Sequence, residues 1–134
     1  MDVNITSWAL DSYMDLKSQN IFSDQEYKEI LRPNVELLKA GLPLEYEKFK
    51  QDKFWGPVTD MSGLAVKGAY KMKWHNIGPG RVQLRLLIGI VHDAAWLCEA
   101  FVKSSDKIDK RFAAKMKIRM KDLNEGNVIL RGRI

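Results

Sequence analysis

Lys71, Lys73 and His75 stand two residues apart in a stretch, Ala69 to Ile77, that alternates polar and apolar residues in the manner of a β-strand. Side chains two apart on a strand share a face, so two ammonium groups and an imidazole point the same way. Arg85 interrupts the apolar run Val82 to Val91, and Lys103 closes a third run that begins at Ala94. These groups suit cleavage of RNA through its own 2′-hydroxyl, which needs no metal. One group withdraws the hydroxyl proton, cations stabilise the charge gathering on phosphorus, and an acid protonates the leaving 5′-oxygen. Imidazole serves either proton role near neutral pH, guanidinium grips two phosphate oxygens, and lysine acts as a point charge or, with a depressed pKa, as a proton donor. Plainer readings stand beside these. Lys71 and Lys73 also fit the solvent face of a half-buried strand, His75 a rim position beside Trp74, and Lys103 the end of a strand. Arg85 is the exception, because an arginine inside an apolar strand requires a partner or an anionic ligand.

The elements that must position these groups can be read from periodicity and punctuation. Thr6 and Ser7 are caps for a helix reaching about Ser18, with Trp8, Ala9, Tyr13 and Leu16 on one face, and a short strand over Val3 to Ser7 can precede it. Ser23-Asp24-Gln25-Glu26 is a capping box that opens a second helix running to Gly41, which Pro33 must kink or split. The helical part thus covers about residues 6–41. Residues 42–68 lose periodicity and read as a long connection anchored by Phe49, Phe54 and Trp55, with a short strand near Leu64 to Lys67. A three-stranded antiparallel meander follows, turning at Gly78-Pro79-Gly80, where Arg81 sits, and at His92-Asp93. Ser104, Ser105 and Asp106 cap a final amphipathic helix with Ile108, Phe112, Met116, Met120 and Leu123 as its apolar stripe, and residues 69–126 complete the sheet and helix. The tail from Val128 to Ile134 is left as a further strand or a loose end. The expectation is an α+β domain in which N-terminal helices pack on a small twisted antiparallel sheet.

Charge narrows the partners. Residues 1–60 hold 7 Lys/Arg and 11 Asp/Glu, whereas residues 61–134 hold 15 and 6, so the formal +5 conceals a strongly cationic C-terminal half. Such a field favours a polyanion, nucleic acid first, or an acidic protein. On the last helix Lys107, Lys110 and Arg111 are positioned for a nucleic-acid backbone, together with Arg81 and Lys103. Two histidines and one cysteine are too few for a zinc site, no glycine-rich phosphate loop or nucleophile elbow occurs, and no cofactor or metal is expected. The single Cys98 excludes an internal disulfide. Met1-Asp2-Val3-Asn4 has none of the basic lead of an export signal, and the longest apolar run, Leu86 to Val91, is about a third of a membrane span. A cytoplasmic protein without membrane contact is expected.

The stretch from Ala69 to about Leu123 resembles the RelE/ParE toxin superfamily, most closely its HigB-like, phage-derived branch. The resemblance is carried by Tyr70-Lys71-Met72-Lys73, the glycine turn, Gln83-Leu84-Arg85-Leu86-Leu87, and Phe101-Val102-Lys103-Ser104-Ser105 leading into a helix with Ala113-Ala114. It implies a small α+β fold and either ribosome-dependent mRNA cleavage or, in the ParE-like branch, gyrase inhibition, with neutralisation by a cognate antitoxin. Arg85 matches the family's strand arginine, Lys73 stands where the pattern has an arginine, and Lys103 matches the first lysine of the block. Lys71 replaces an acid, Ser104 replaces the second lysine, and the family's catalytic tyrosine or histidine has no counterpart after Leu123. On this reading Lys71, Lys73 and Arg85 hold the scissile phosphate, His75 moves protons, and the basic helix docks. The competing reading is a non-catalytic phage or mobile-element protein on the same scaffold, binding an acidic protein or nucleic acid.

Overall fold

The computed structural model describes residues 1–41 and 46–134. Helices lie on both faces of a six-stranded mixed sheet, so the expected α+β class holds at that level. The order of strands across the sheet is β2 (Trp55–Thr59), β3 (Ala65–Ile77), β4 (Val82–Val91), β5 (Ala94–Lys103), β1 (Val3–Thr6) and β6 (Leu130–Arg133).

The meander β3–β4–β5 is antiparallel, as its short turns require. His92 and Asp93 both adopt positive φ, 53° and 59°, the geometry of a two-residue hairpin whose twist matches its strands. The sheet is not wholly antiparallel, however. β1 pairs parallel to β5, with Val3 opposite Ala95 and Ile5 opposite Leu97, and β6 pairs antiparallel on the far side of β1. The tail therefore forms a strand. Four residues with no alternation of their own carry little local signal, and only distant partners make them strands.

Residues 42–68 also depart from the expected loop: Leu42 to Glu45 lie outside the described residues, a 3-10 turn spans Glu47–Lys50, β2 follows, and β3 starts at Ala65 rather than Ala69. Gly56 and Pro57 hid β2 from a sequence reading. Proline cannot donate to a ladder, and it is tolerated here because β2 is an edge strand and Pro57 is exposed. Edge-on contacts of Phe49 with Trp55 and stacking of Trp55 on Tyr70 fasten the segment to the sheet.

Thr6 caps α1 (Ser7–Ser18), accepting from the Ala9 amide at 3.1 Å while its hydroxyl donates to the Leu97 carbonyl at 2.7 Å. One buried side chain thus ends β1, starts α1 and ties both to β5. The Ser23 capping box forms as read, opening α2 (Asp24–Glu26). A π-turn over Tyr27–Leu31 leads into α3 (Arg32–Glu36), in which the Arg32 amide bonds to the Tyr27 carbonyl five residues back. Widening the turn before Pro33 makes room for its ring, which a regular helix would drive into the preceding carbonyl.

Each face of the sheet has its own core. Met72, Trp74, Leu84, Leu86, Ile88 and Leu97 face α1 to α3, with Leu16, Phe22, Leu31, Val35 and Leu38 opposite. Ala69, Leu87, Val91, Cys98 and Phe101 face α4 (Asp106–Glu125), which contributes Ala113, Met116, Met120 and Leu123. Ser105 caps α4 by accepting from the Ile108 amide, and Gly126, at φ 77°, ends it. The residues of α4 that sink into the core are not quite those expected. Ile108 and Phe112 are only half-buried and Ala113 is buried, so the inner line is 109, 113, 116, 120 and 123.

Candidate functional site

Lys71, Lys73, Arg85 and Lys103 fall on the α4 face of the sheet, at the end where α4 begins. Register fixes this: Lys73 lies opposite Arg85, Arg85 opposite Phe101, and Gln83 opposite Lys103. The cations read from three separate strands are thus brought together. His75 joins them through Gln83, whose Oε1 lies 2.6 Å from its Nδ1, while its Nε2 lies 2.7 Å from the Lys53 carbonyl. Both ring nitrogens are therefore engaged by the protein, although the residue is exposed.

The four cations have different partners. Asp109, on the first turn of α4, lies 2.9 Å from the Lys71 ammonium and 3.5 Å from that of Lys103, which also lies 3.4 Å from Asp106. Among the described residues no carboxylate lies within ion-pair distance of Lys73 or Arg85. The Lys73 ammonium donates to the Asp52 carbonyl at 2.7 Å. Gly56 flanks that ammonium, and any β-carbon there would stand 3.3 Å from it. Arg85 is 6% exposed; its Nη1 donates to the carbonyls of Trp74 and Leu84, and its Nε is buried without a partner. The guanidinium is thus set into the floor of the site rather than held out as a free fork.

Burial, with Lys71 and Arg85 close by, pulls the Lys73 ammonium below the usual lysine range despite the opposing pull of Asp52 and Asp109. Burial likewise lowers Arg85, with Asp109 acting against it. For Asp109 burial acts upward, but the hydrogen bond and charge of Lys71 and the charge of Lys103 outweigh it and hold the carboxyl below its ordinary value. Two uncompensated cations in a half-buried place are costly unless an anion joins them.

Arg81, at φ 49°, is exposed at the β3–β4 turn, and Lys107, Lys110 and Arg111 are exposed on α4. Cys98 is fully buried, and burial pushes its thiol up to about 12, so it is inert packing. Trp74 and Trp96 pack within the two cores, and Trp74 also donates to Asn34 at 2.9 Å.

Sequence reading missed Asp109, Gln83 and Gly56. Asp109 carried a usable signal, since it extends the 4-3-4-3 spacing of Ala113, Met116, Met120 and Leu123 and so belongs on the sheet-facing side of α4. Glu99 was missed as well: a buried carboxylate that receives Arg119 at 2.7 Å and Lys115 at 3.2 Å, taking two cations out of the basic face. A cavity of about 180 Å³ between the N-terminal helices and the sheet is almost wholly apolar, and a cleft of about 510 Å³ separates α1 from α4. Neither is lined by Lys71, Lys73, Arg85 or Lys103. No group of metal-ligating side chains occurs among the described residues, nor does any helix among them have the length and apolarity to cross a membrane. Compared with family models, curated proteins and solved structures, the chain matches none.

Proposed function

We propose that this chain is a metal-independent RNA-cleaving toxin of the RelE/ParE kind, acting on mRNA at the ribosome and restrained by a cognate antitoxin. The observation that supports it best is the facing pair Lys73 and Arg85, two positive charges on adjacent strands with no carboxylate within ion-pair distance among the described residues. A phosphodiester supplies the missing negative charge. In the reaction the 2′-oxygen bonds to phosphorus and the 5′-oxygen leaves, while Lys73, Arg85 and their neighbours stabilise the extra charge on the phosphoryl oxygens. Lys73 is the better proton donor to the leaving oxygen, because its lowered pKa eases release of the proton. His75 takes the 2′-hydroxyl proton at Nε2 in the tautomer that keeps its proton on Nδ1 for Gln83 Oε1, once Nε2 has left the Lys53 carbonyl and is unprotonated. Arg85 acts through its field from below, and Arg81, Lys107, Lys110 and Arg111 hold flanking RNA.

A second reading has a specific observation in its favour. His75 has both ring nitrogens engaged, and Lys71 and Lys103 already share a carboxylate, which suits a non-catalytic protein that binds nucleic acid or an acidic protein. Induction in a bacterium separates the two. Growth arrest with codon-positioned breaks in primer extension on total mRNA is expected for the native chain, and Lys73→Met should lose both by at least tenfold while remaining folded. Arrest without breaks would point to gyrase, and no arrest to the binding protein.

A further inference from the structure

Two residues along a strand span about 6.6 Å, which is on the scale of the distance between neighbouring phosphates in an extended single strand. Lys71 and Lys73 have that separation on β3 and share a face. Across the sheet, Lys73 is matched by Arg85, while Lys71 is joined to Lys103 by one carboxylate oxygen, Asp109 Oδ2, at 2.9 and 3.5 Å. A carboxylate oxygen between two ammonium groups stands in for a phosphate oxygen in charge and in hydrogen-bonding capacity. The pair Lys71–Lys103 is therefore built like an anion seat, and its anion belongs to the chain itself. Asp109 is only 17% exposed at its side chain, as is Lys71, so the contact is largely shielded from water.

We infer that Lys71 and Lys103 form a second phosphate subsite beside the Lys73–Arg85 seat, and that Asp109 is the internal anion which fills it until RNA displaces it. This subsite rests on the RNA-binding reading of the first seat and extends it to two adjacent internal phosphodiesters. The substrate class follows: a single strand with a phosphodiester on each side of one nucleotide, in preference to a dinucleotide with only one.

The test compares two probes, UpU with one phosphodiester and UpUpU with two, bound to the native chain and to Asp109→Asn. Lysine side-chain NMR signals report which ammonium groups respond. Freeing the seat should raise affinity for UpUpU about tenfold and for UpU less than about threefold. Adding Lys71→Gln to Asp109→Asn should cancel the gain, and unchanged backbone spectra show that each variant is folded. An equal gain for both probes would reduce Asp109 to a diffuse field and overturn the subsite; so would a loss for both, which marks a structural carboxylate. If UpU binds the native chain at Lys73 and Arg85 while Asp109→Asn gives no extra gain for UpUpU, the subsite fails and the first seat survives. If neither probe moves Lys73 in any variant, both fail together.

Discussion

At the scale of single residues, Lys73 couples the site to stability. Its pKa is lowered in the folded chain, so the unfolded chain binds more protons, and keeping Lys73 charged works against folding at neutral pH. Stability rises with pH as Lys73 loses its proton, the opposite of a lysine held by a carboxylate. Lys73→Met should therefore melt at a higher temperature than the native chain at pH 7, with the difference shrinking as pH is raised toward the ordinary lysine pKa; paired thermal melts measure this. A gain in stability with a loss of activity is the mark of a residue retained for chemistry. Lys71 is its contrast, because Asp109 compensates it. The two lysines were indistinguishable in sequence, being the same residue type on the same strand face, and only the tertiary arrangement of α4 separates them.

At the scale of elements, α4 is held to the sheet by ionic contacts as much as by its core. Asp109 meets Lys71 and Lys103, Lys115 and Arg119 meet Glu99, and Lys117 meets Asp60. The buried line between them consists of one alanine, two methionines and a leucine, so the apolar grip is modest. Two of these carboxyls, Asp109 and Asp60, are held below their ordinary pKa; for Asp60 the causes are the bonds from Ser62 and Leu64 and, last, Lys117. A depressed carboxyl stabilises the fold above its unfolded pKa of about 4 and ceases to do so as pH falls through the lower folded value. The α4 contacts should thus weaken as pH falls below about 4, and hydrogen exchange of α4 amides should rise there before that of β3 to β5. In Asp109→Asn the same rise should be smaller, since part of the acid-sensitive contact is already gone. Most of this architecture was legible in advance. Ser23 to Glu26, Gly126, His92-Asp93 and the three central strands declare themselves through capping, punctuation and alternation. β2 did not, because Gly56 and Pro57 break its pattern; β1 and β6 were legible only as options, since short strands at or near a sheet edge are defined by their partners; and Asp109 escaped because the first two positions of the α4 stripe, Ile108 and Phe112, were placed one residue early.

At the scale of the whole molecule, the charge split has a measurable consequence. Folding leaves Lys107, Lys110 and Arg111 exposed on α4, whereas Lys115 and Arg119 are paired with Glu99. The effective cationic surface is therefore smaller than the +9 of residues 61–134 suggests. With about four phosphates contacted by the seat and the three helix residues, the logarithm of the binding constant for single-stranded RNA should fall with the logarithm of salt at a slope of about −3. Replacing Lys107, Lys110 and Arg111 by glutamine should flatten that slope by about 2, whereas replacing Lys115 should change it little.

The placement of β1 also sets the order in which this chain can assemble. Val3 to Ile5 find their partners only in Ala95 to Leu97 on one side and in Leu130 to Arg133 on the other. The central meander closes through nearby contacts, which form early, while the first strand waits on some of the most distant ones in the sequence. During synthesis the N-terminal segment must therefore remain unpaired until residue 97 has emerged, and α1, which Thr6 anchors to the Leu97 carbonyl, cannot settle before then. The Lys73–Arg85 pair lies on β3 and β4, inside the early-closing meander, so it is set in place before the N-terminal strand and helix are.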